Sequence, residues 1–169
     1  IQYHSSMAND YLKNGFWAMN RSEALVNPGL TATFVVRIED VTDAMMEAAG
    51  PLEGLERNEA LAAAATRLEK EATSGGIYGA EVKPCFYGNA YYMTVTETFS
   101  DVRLVGAPPS SIGKFGGDTD NWEWPRHTGD FSVFRIYASP YNKPAEYSED
   151  NIPYKPKASL EIDMSGVQQ

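Results

Sequence analysis

Cysteine is almost absent from this chain: Cys85 stands alone, so no internal disulfide can form. Its neighbours, Lys83-Pro84 and Phe86-Tyr87, read as strand, and a small apolar strand residue fits them better than a metal ligand or a nucleophile. Basic residues are scarce as well. Lys and Arg number 14 against 23 Asp and Glu, a net charge of -9 that repels phosphate backbones and anionic lipid, and no Lys/Arg cluster reverses this locally. Nucleic acid and membrane surfaces are therefore excluded as expected partners. No apolar run approaches the ~18 to 20 residues needed to cross a bilayer, so no membrane insertion is expected. The chain opens at Ile1 without a methionine, a charged leader or an apolar targeting segment, which leads us to expect that its natural amino terminus lies further upstream. No motif calls for a metal or a cofactor.

What is present reads as ordinary globular protein, with 43% apolar and 12% aromatic residues. A chain of 169 residues fits one domain, or one piece of a larger one, and can bury roughly 70% of its unfolded surface. Ser6 as a cap and Asn14-Gly15 as a stop predict a short helix between them. After an Asn27-Pro28-Gly29 turn, Thr31 to Ile38 predicts a strand with Phe34, Val36 and Ile38 on one buried face. Thr42 or Asp43 can cap a second short helix through Ala49, closed by Gly50-Pro51. A longer helix then runs to about Thr73, with Leu61, Ala65, Leu68 and Ala72 forming an apolar stripe at helical spacing.

Beyond the Ser74-Gly75-Gly76 break the period becomes strand-like. Gly79 to Tyr87 and Ala90 to Phe99 predict a hairpin around a type II′ Gly88-Asn89 turn. Asp101 to Val105, Phe131 to Tyr137 and Ala158 to Ile162 predict further strands, the last reached through a Pro-rich connection over 140–156. The fold class expected is mainly β with helical insertions, the helical excursion lying at 42–74. Residues 106–130 have no regular period, yet hold two of the three Trp, several carboxylates and one of only two His. A stretch of that length without its own secondary structure is usually functional.

That stretch carries the most specific signal in the chain. Asp-Val-Arg-Leu-Val-Gly-Ala-Pro-Pro at 101–109, Gly-Lys-Phe-Gly-Gly-Asp-Thr-Asp-Asn-Trp at 113–122 and Trp-Pro-Arg-His-Thr-Gly-Asp-Phe-Ser at 124–132 resemble the bacterial dipeptidyl peptidases of serine-peptidase family 46. Ile-Gln-Tyr-His-Ser-Ser at 1–6, Gly-Phe-Trp-Ala at 15–18, Ile-Glu-Asp-Val-Thr at 38–42 and Asn-Lys-Pro-Ala-Glu-Tyr-Ser at 142–148 match as well. The resemblance thus covers nearly all of residues 1–169, which it identifies as a partial catalytic domain.

The resemblance implies a chymotrypsin-like double β-barrel, of which this chain would be an incomplete, N-terminal barrel portion. It also implies release of dipeptides from the free amino termini of peptide substrates, with a triad in the order His, Asp, Ser. Asp130, directly before the apolar strand 131–137, takes the place of the triad aspartate. It would accept a hydrogen bond from the imidazole, hold the reactive tautomer and stabilise the imidazolium formed as serine attacks. The triad His is expected in a His-Cys-Gly-Tyr segment upstream of Ile1 and the nucleophilic Ser beyond Gln169, both in the remainder of the same polypeptide. His4 and His127 do not match the family's base position.

Asn121 and Trp122 match the residues that hold the substrate's amino terminus in the family. An α-ammonium needs an acceptor such as the Asn121 carboxamide oxygen, and an indole face offers a cation–π contact. Glu123 and Cys85 depart from the family pattern, where an apolar residue and an aromatic are commoner. The resemblance further implies the periplasm or the surface of a Gram-negative cell, and allows a homodimer of the full-length enzyme. A non-catalytic β module gripping a peptide or glycan with its ten Tyr and three Trp is the alternative that composition supports.

Overall fold

Ten residues of alternating burial, Ala90–Phe99, turn Tyr91, Met93, Val95 and Phe99 inward and organise everything around them. The structure is a computed structural model of the chain that describes residues 2–73, 75–112, 129, 131–159 and 161. In chain order its strands are β1 (Phe16–Trp17), β2 (Leu25–Val26), β3 (Ala32–Asp40), β4 (Tyr78–Cys85), β5 (Ala90–Phe99), β6 (Asp101–Ala107), β7 (Val133–Ala138) and β8 (Ile152–Pro153). Its α-helices are α1 (Tyr11–Asn14), α2 (Thr42–Ala49) and α3 (Gly54–Ala72). Short 3-10 turns punctuate the rest. The architecture is mainly β with helical insertions.

Two antiparallel sheets share the strands. A five-stranded sheet runs β1-β6-β7-β8 with β2 also paired to β6, and a three-stranded sheet runs β3-β5-β4. Only Ser100 separates β5 from β6, so the chain passes directly from one sheet into the other. α2 and α3 cover the smaller sheet. Met45 of α2 and Ala64 of α3 close a core with Val41, Tyr91, Met93 and Val95, and the predicted stripe of Leu61, Ala65, Leu68 and Ala72 packs against it. Polar ties fix the docking: the Thr42 hydroxyl accepts the Tyr91 N–H at 2.9 Å, and Glu69 accepts the Val82 N–H at 2.9 Å.

Four expectations need correction. The first helix is a single turn, Tyr11–Asn14, capped by Asp10 rather than Ser6, because the Ser6 side chain instead accepts the Asn9 N–H. Phe34, Val36 and Ile38 do not share a buried face: a bulge between Val35 and Arg37 breaks the alternation, and Ile38 remains 63% exposed. The hairpin turn is not Gly88-Asn89, since Phe86, Tyr87 and Gly88 all take positive φ and the strands close at Cys85 opposite Ala90. The Pro-rich connection contains β8, whereas 158, 159 and 161 of the expected strand 158–162 are not strand, and 160 and 162 lie outside the described residues. Cys85 ends β4 half-buried, as a strand residue.

Leu104 of β6 and Tyr137 and Ala138 of β7 are fully buried in the larger sheet, and Phe99, equally buried at the end of β5, packs against the rings of Phe34 and Tyr154. Leu104→Ala is expected to destabilise the fold by about 2 to 5 kcal/mol through lost transfer energy and an incompletely collapsed cavity. The midpoint of denaturant unfolding measures this, and a loss below about 1 kcal/mol would place Leu104 outside the core.

Candidate functional site

The long irregular segment begins where β6 ends and finishes where β7 begins, and the structure shows how its two ends are held. β6 and β7 pair antiparallel from Asp101 opposite Tyr137 to Gly106 opposite Val133, with an irregularity between Leu104 and Gly106. β1 pairs on the other side of β6, placing Trp17 opposite Gly106. The indole lies so close over Gly106 that a Cβ there would meet Trp17 Cε3 and Cζ3 at 2.5 Å. Only glycine fits. Gly15 serves the same need one step on: it has φ +73°, and a Cβ would meet Pro109 at 2.9 Å.

After Pro108-Pro109 a 3-10 turn, Ser110–Ile112, is tied to α1 by the Ser110 hydroxyl donating to the Leu12 carbonyl at 2.9 Å. Gly129 then returns to this turn and donates its N–H to the Ile112 carbonyl at 3.0 Å. The segment is thereby closed at its neck. Around the neck stand Trp17, Ile112 and Phe131, with Trp17 and Phe131 ring centroids 6.4 Å apart and all three side chains between 42% and 55% exposed. Three half-exposed apolar side chains thus stand around one backbone closure. The expected site residues Asp130, Asn121 and Trp122, together with Glu123 and His127, lie outside the described residues; Gly129 and Phe131 flank position 130 in sequence. His4 is engaged elsewhere, its Nε2 at 2.7 Å from Asn27 Oδ1.

The opposite end of β6 is polar and dry. Asp101 and Arg103, two apart on a strand and so on one face, form a bidentate pair at 2.8 and 2.7 Å, with side chains 0% and 6% exposed. Arg103 also donates to the Ser148 carbonyl, and Asn151 donates to Asp101 at 2.9 Å. Tyr137 and Tyr147 present their ring faces to the guanidinium, with centroids 3.9 and 5.0 Å from its carbon. Burial disfavours a charged Asp101. The hydrogen bonds from Arg103 and Asn151, the Arg103 charge and the Ser148 amide outweigh it and hold the carboxyl below the ordinary aspartate range. Arg21 donates to the Glu149 and Asn151 carbonyls, and it lines a cleft of about 540 Å³ with Asn20, Ser22, Arg103, Tyr147 and Glu149.

Sequence reading missed both devices. The Asp-Val-Arg alternation was a usable signal for the ion pair, because residues two apart share a strand face. Nothing local announced Asn151 as its third member, fifty residues on. Gly129 gave no sign either: its closeness to Ile112 arises from the closure of the segment.

The peptidase S46 family model matches residues 1–169. An Asp/Glu-specific dipeptidyl-peptidase of Capnocytophaga gingivalis is 52% identical over all of this chain and 24% of its own length. A dipeptidyl-peptidase 7 of the same organism is 48% identical over 98% of this chain and 23% of its own length. Among solved structures, Porphyromonas endodontalis DPP11 in complex with the dipeptide Arg-Glu superposes with a TM-score of 0.81 at 50% identity, covering 99% of this chain and 26% of that one. The chain thus spans about a quarter of the length of the curated relatives it matches.

The buried pair sets a pH dependence. A carboxyl whose folded pKa is depressed contributes stability that is complete above its unfolded value, about 3.9, and is lost as pH falls through the lower folded value. Stability measured between pH 6 and pH 2 is expected to drop chiefly below about pH 4. Asp101→Asn, which leaves the Arg103 charge buried and unpaired, is expected to cost about 3 to 5 kcal/mol at neutral pH and to flatten the acid limb. An unchanged acid limb in that variant would show that other carboxylates carry it.

Proposed function

The chain belongs to the peptidase S46 family, and we propose on that footing that it is part of the catalytic domain of a serine-type peptidase releasing dipeptides from free peptide amino termini. The observation that carries this reading is identity of 48 to 52% along essentially the whole chain to relatives named dipeptidyl-peptidases. Two differently named relatives match almost equally well, and dipeptide release is what their names share. The fold in which we place the chain is a chymotrypsin-like double barrel, completed by the rest of a longer polypeptide. Residues 1–169 are one portion of its catalytic domain, 42–74 the helical excursion and 106–130 the functional segment. The site of action is the periplasm or surface of a Gram-negative cell.

In this reading Asp130 accepts a hydrogen bond from the imidazole of a histidine supplied by the longer polypeptide. That imidazole takes the proton of the attacking serine hydroxyl and later delivers it to the leaving amine, while the Asp130 carboxylate stabilises the transient imidazolium. Asn121 offers its carboxamide oxygen to the substrate's α-ammonium and Trp122 its indole face. An ammonium-binding site at a fixed distance from the nucleophile is what restricts cleavage to the second peptide bond. The closed neck at Ile112 and Gly129 supports the reading, because a segment carrying such groups needs fixed ends.

Two variants of the full-length protein test these roles separately. Asp130→Asn is expected to keep the melting temperature and KM while lowering kcat by about 10⁴, the size of that effect in the chymotrypsin-type triad. A normal kcat would sink the triad assignment. Asn121→Ala is expected to cost about 1 to 3 kcal/mol in kcat/KM on substrates with a free amino terminus, by removing a hydrogen bond to a charged group. Acetylated substrates should lose nothing comparable, and equal losses on both would reduce Asn121 to a support of its segment.

A further inference from the structure

We propose that Ile112 and Gly129 form a positioning clasp that aims the backbone entering position 130, so that they act on catalysis through Asp130 without touching substrate. The inference rests on reading Asp130 as the triad aspartate. The requirement for glycine at 129 is steric. A Cβ on Gly129 would sit 2.4 Å from Ile112 Cδ1 and 3.0 Å from Cγ1, about 1 Å short of ordinary contact, with Phe131 Cε1 at 3.7 Å on another side. The same two residues are joined through the backbone by the Gly129 N–H and the Ile112 carbonyl. Each of these contacts constrains the residue immediately before 130, and Phe131, immediately after it, rests against Trp17.

The anchoring continues inward. Ile112 donates its N–H to the Pro109 carbonyl at 3.2 Å, Ser110 is bonded to α1, and Pro109 sits against Gly15 at the end of that helix. A chain of contacts thus begins in α1 and passes through Ile112 to Gly129. A carboxylate must meet an imidazole N–H within a few tenths of an ångström and a narrow range of angle. A shift of about 1 Å in such a group can cost about a hundredfold in rate. A clasp that leaves no room for one methyl group is suited to preventing that shift.

The test uses the full-length protein and three variants in parallel. Gly129→Ala is expected to lower kcat by about 10- to 100-fold with KM changed less than about twofold. It should also move the acid limb of the kcat/KM profile to lower pH, because a misaligned carboxylate stabilises the imidazolium less. Adding Ile112→Val removes Cδ1, the colliding atom, and should recover most of the lost rate and return the limb toward its original position. Asp130→Asn is the control. If it loses its rate while Gly129→Ala keeps wild-type kcat and pH profile, or slows with an unmoved acid limb, the clasp is overturned and the triad reading stands. If Asp130→Asn keeps its rate, both fall. Should Gly129→Ala fail to fold, Ile112→Ala decides: the same signs at smaller amplitude support the clasp, and wild-type kcat with an unmoved limb overturns it.

Discussion

A carboxylate and a guanidinium taken almost completely out of water at the start of β6 oblige the surrounding chain to arrange itself around them. Removing both charges from solvent costs several kcal/mol apiece, and their attraction offsets this only if the remaining donors and acceptors are also satisfied. Asn151 and the Ser148 backbone meet that condition, and Tyr137 and Tyr147 wall the guanidinium with aromatic faces. The segment from 141 to 154 must therefore fold back over the sheet, which is how β8 comes to pair with β7. Because Tyr137 is also the register partner of Asp101, the same network holds β7 in place against β6.

The two ends of β6 are consequently unlike. Its start is locked by charge and hydrogen bonds, and its end is shaped by the absence of a side chain at Gly106, where the Trp17 ring lies against the backbone. Between them Leu104 and Val102 are buried in the larger sheet. A strand rigid at one end and tightly packed at the other delivers the chain into the 106–130 segment in a defined direction, and β7 receives it in a defined register.

What was legible in the sequence follows the range of the forces involved. α2 and α3 were readable because helical spacing and a Gly50 stop are local signals, and the Leu61, Ala65, Leu68 and Ala72 stripe does pack inward. The expected cap by Thr42 or Asp43 is not formed, since Val41 takes the cap position without a side-chain bond and the Thr42 hydroxyl is turned to the Tyr91 N–H. β5 was readable because strict alternation survives at the centre of a sheet. β3 was misjudged because one extra residue between Val35 and Arg37 inverts which side chains share a face. The hairpin tip was misjudged because Phe86 and Tyr87 occupy left-handed conformations that their identities do not favour. The family's candidate segment stood out by composition and motif, whereas the contacts framing it, Ile112 with Gly129 and Trp17 with Gly106, arise only when distant stretches meet.

β3 lies at the margin of its sheet among the described residues, with Val35 and Ile38 more than half exposed and one row of backbone donors and acceptors without a strand partner. Such a margin is a template for pairing with another copy. Charge works against it, both through the ion-paired Arg37 and Glu39 on the strand itself and through the molecule's net -9, which keeps copies apart at low ionic strength. Colloidal behaviour should thus hinge on salt: raising ionic strength toward the point where the screening length shrinks to a few ångströms removes the repulsion and leaves the strand's own stickiness to govern storage and crystallisation.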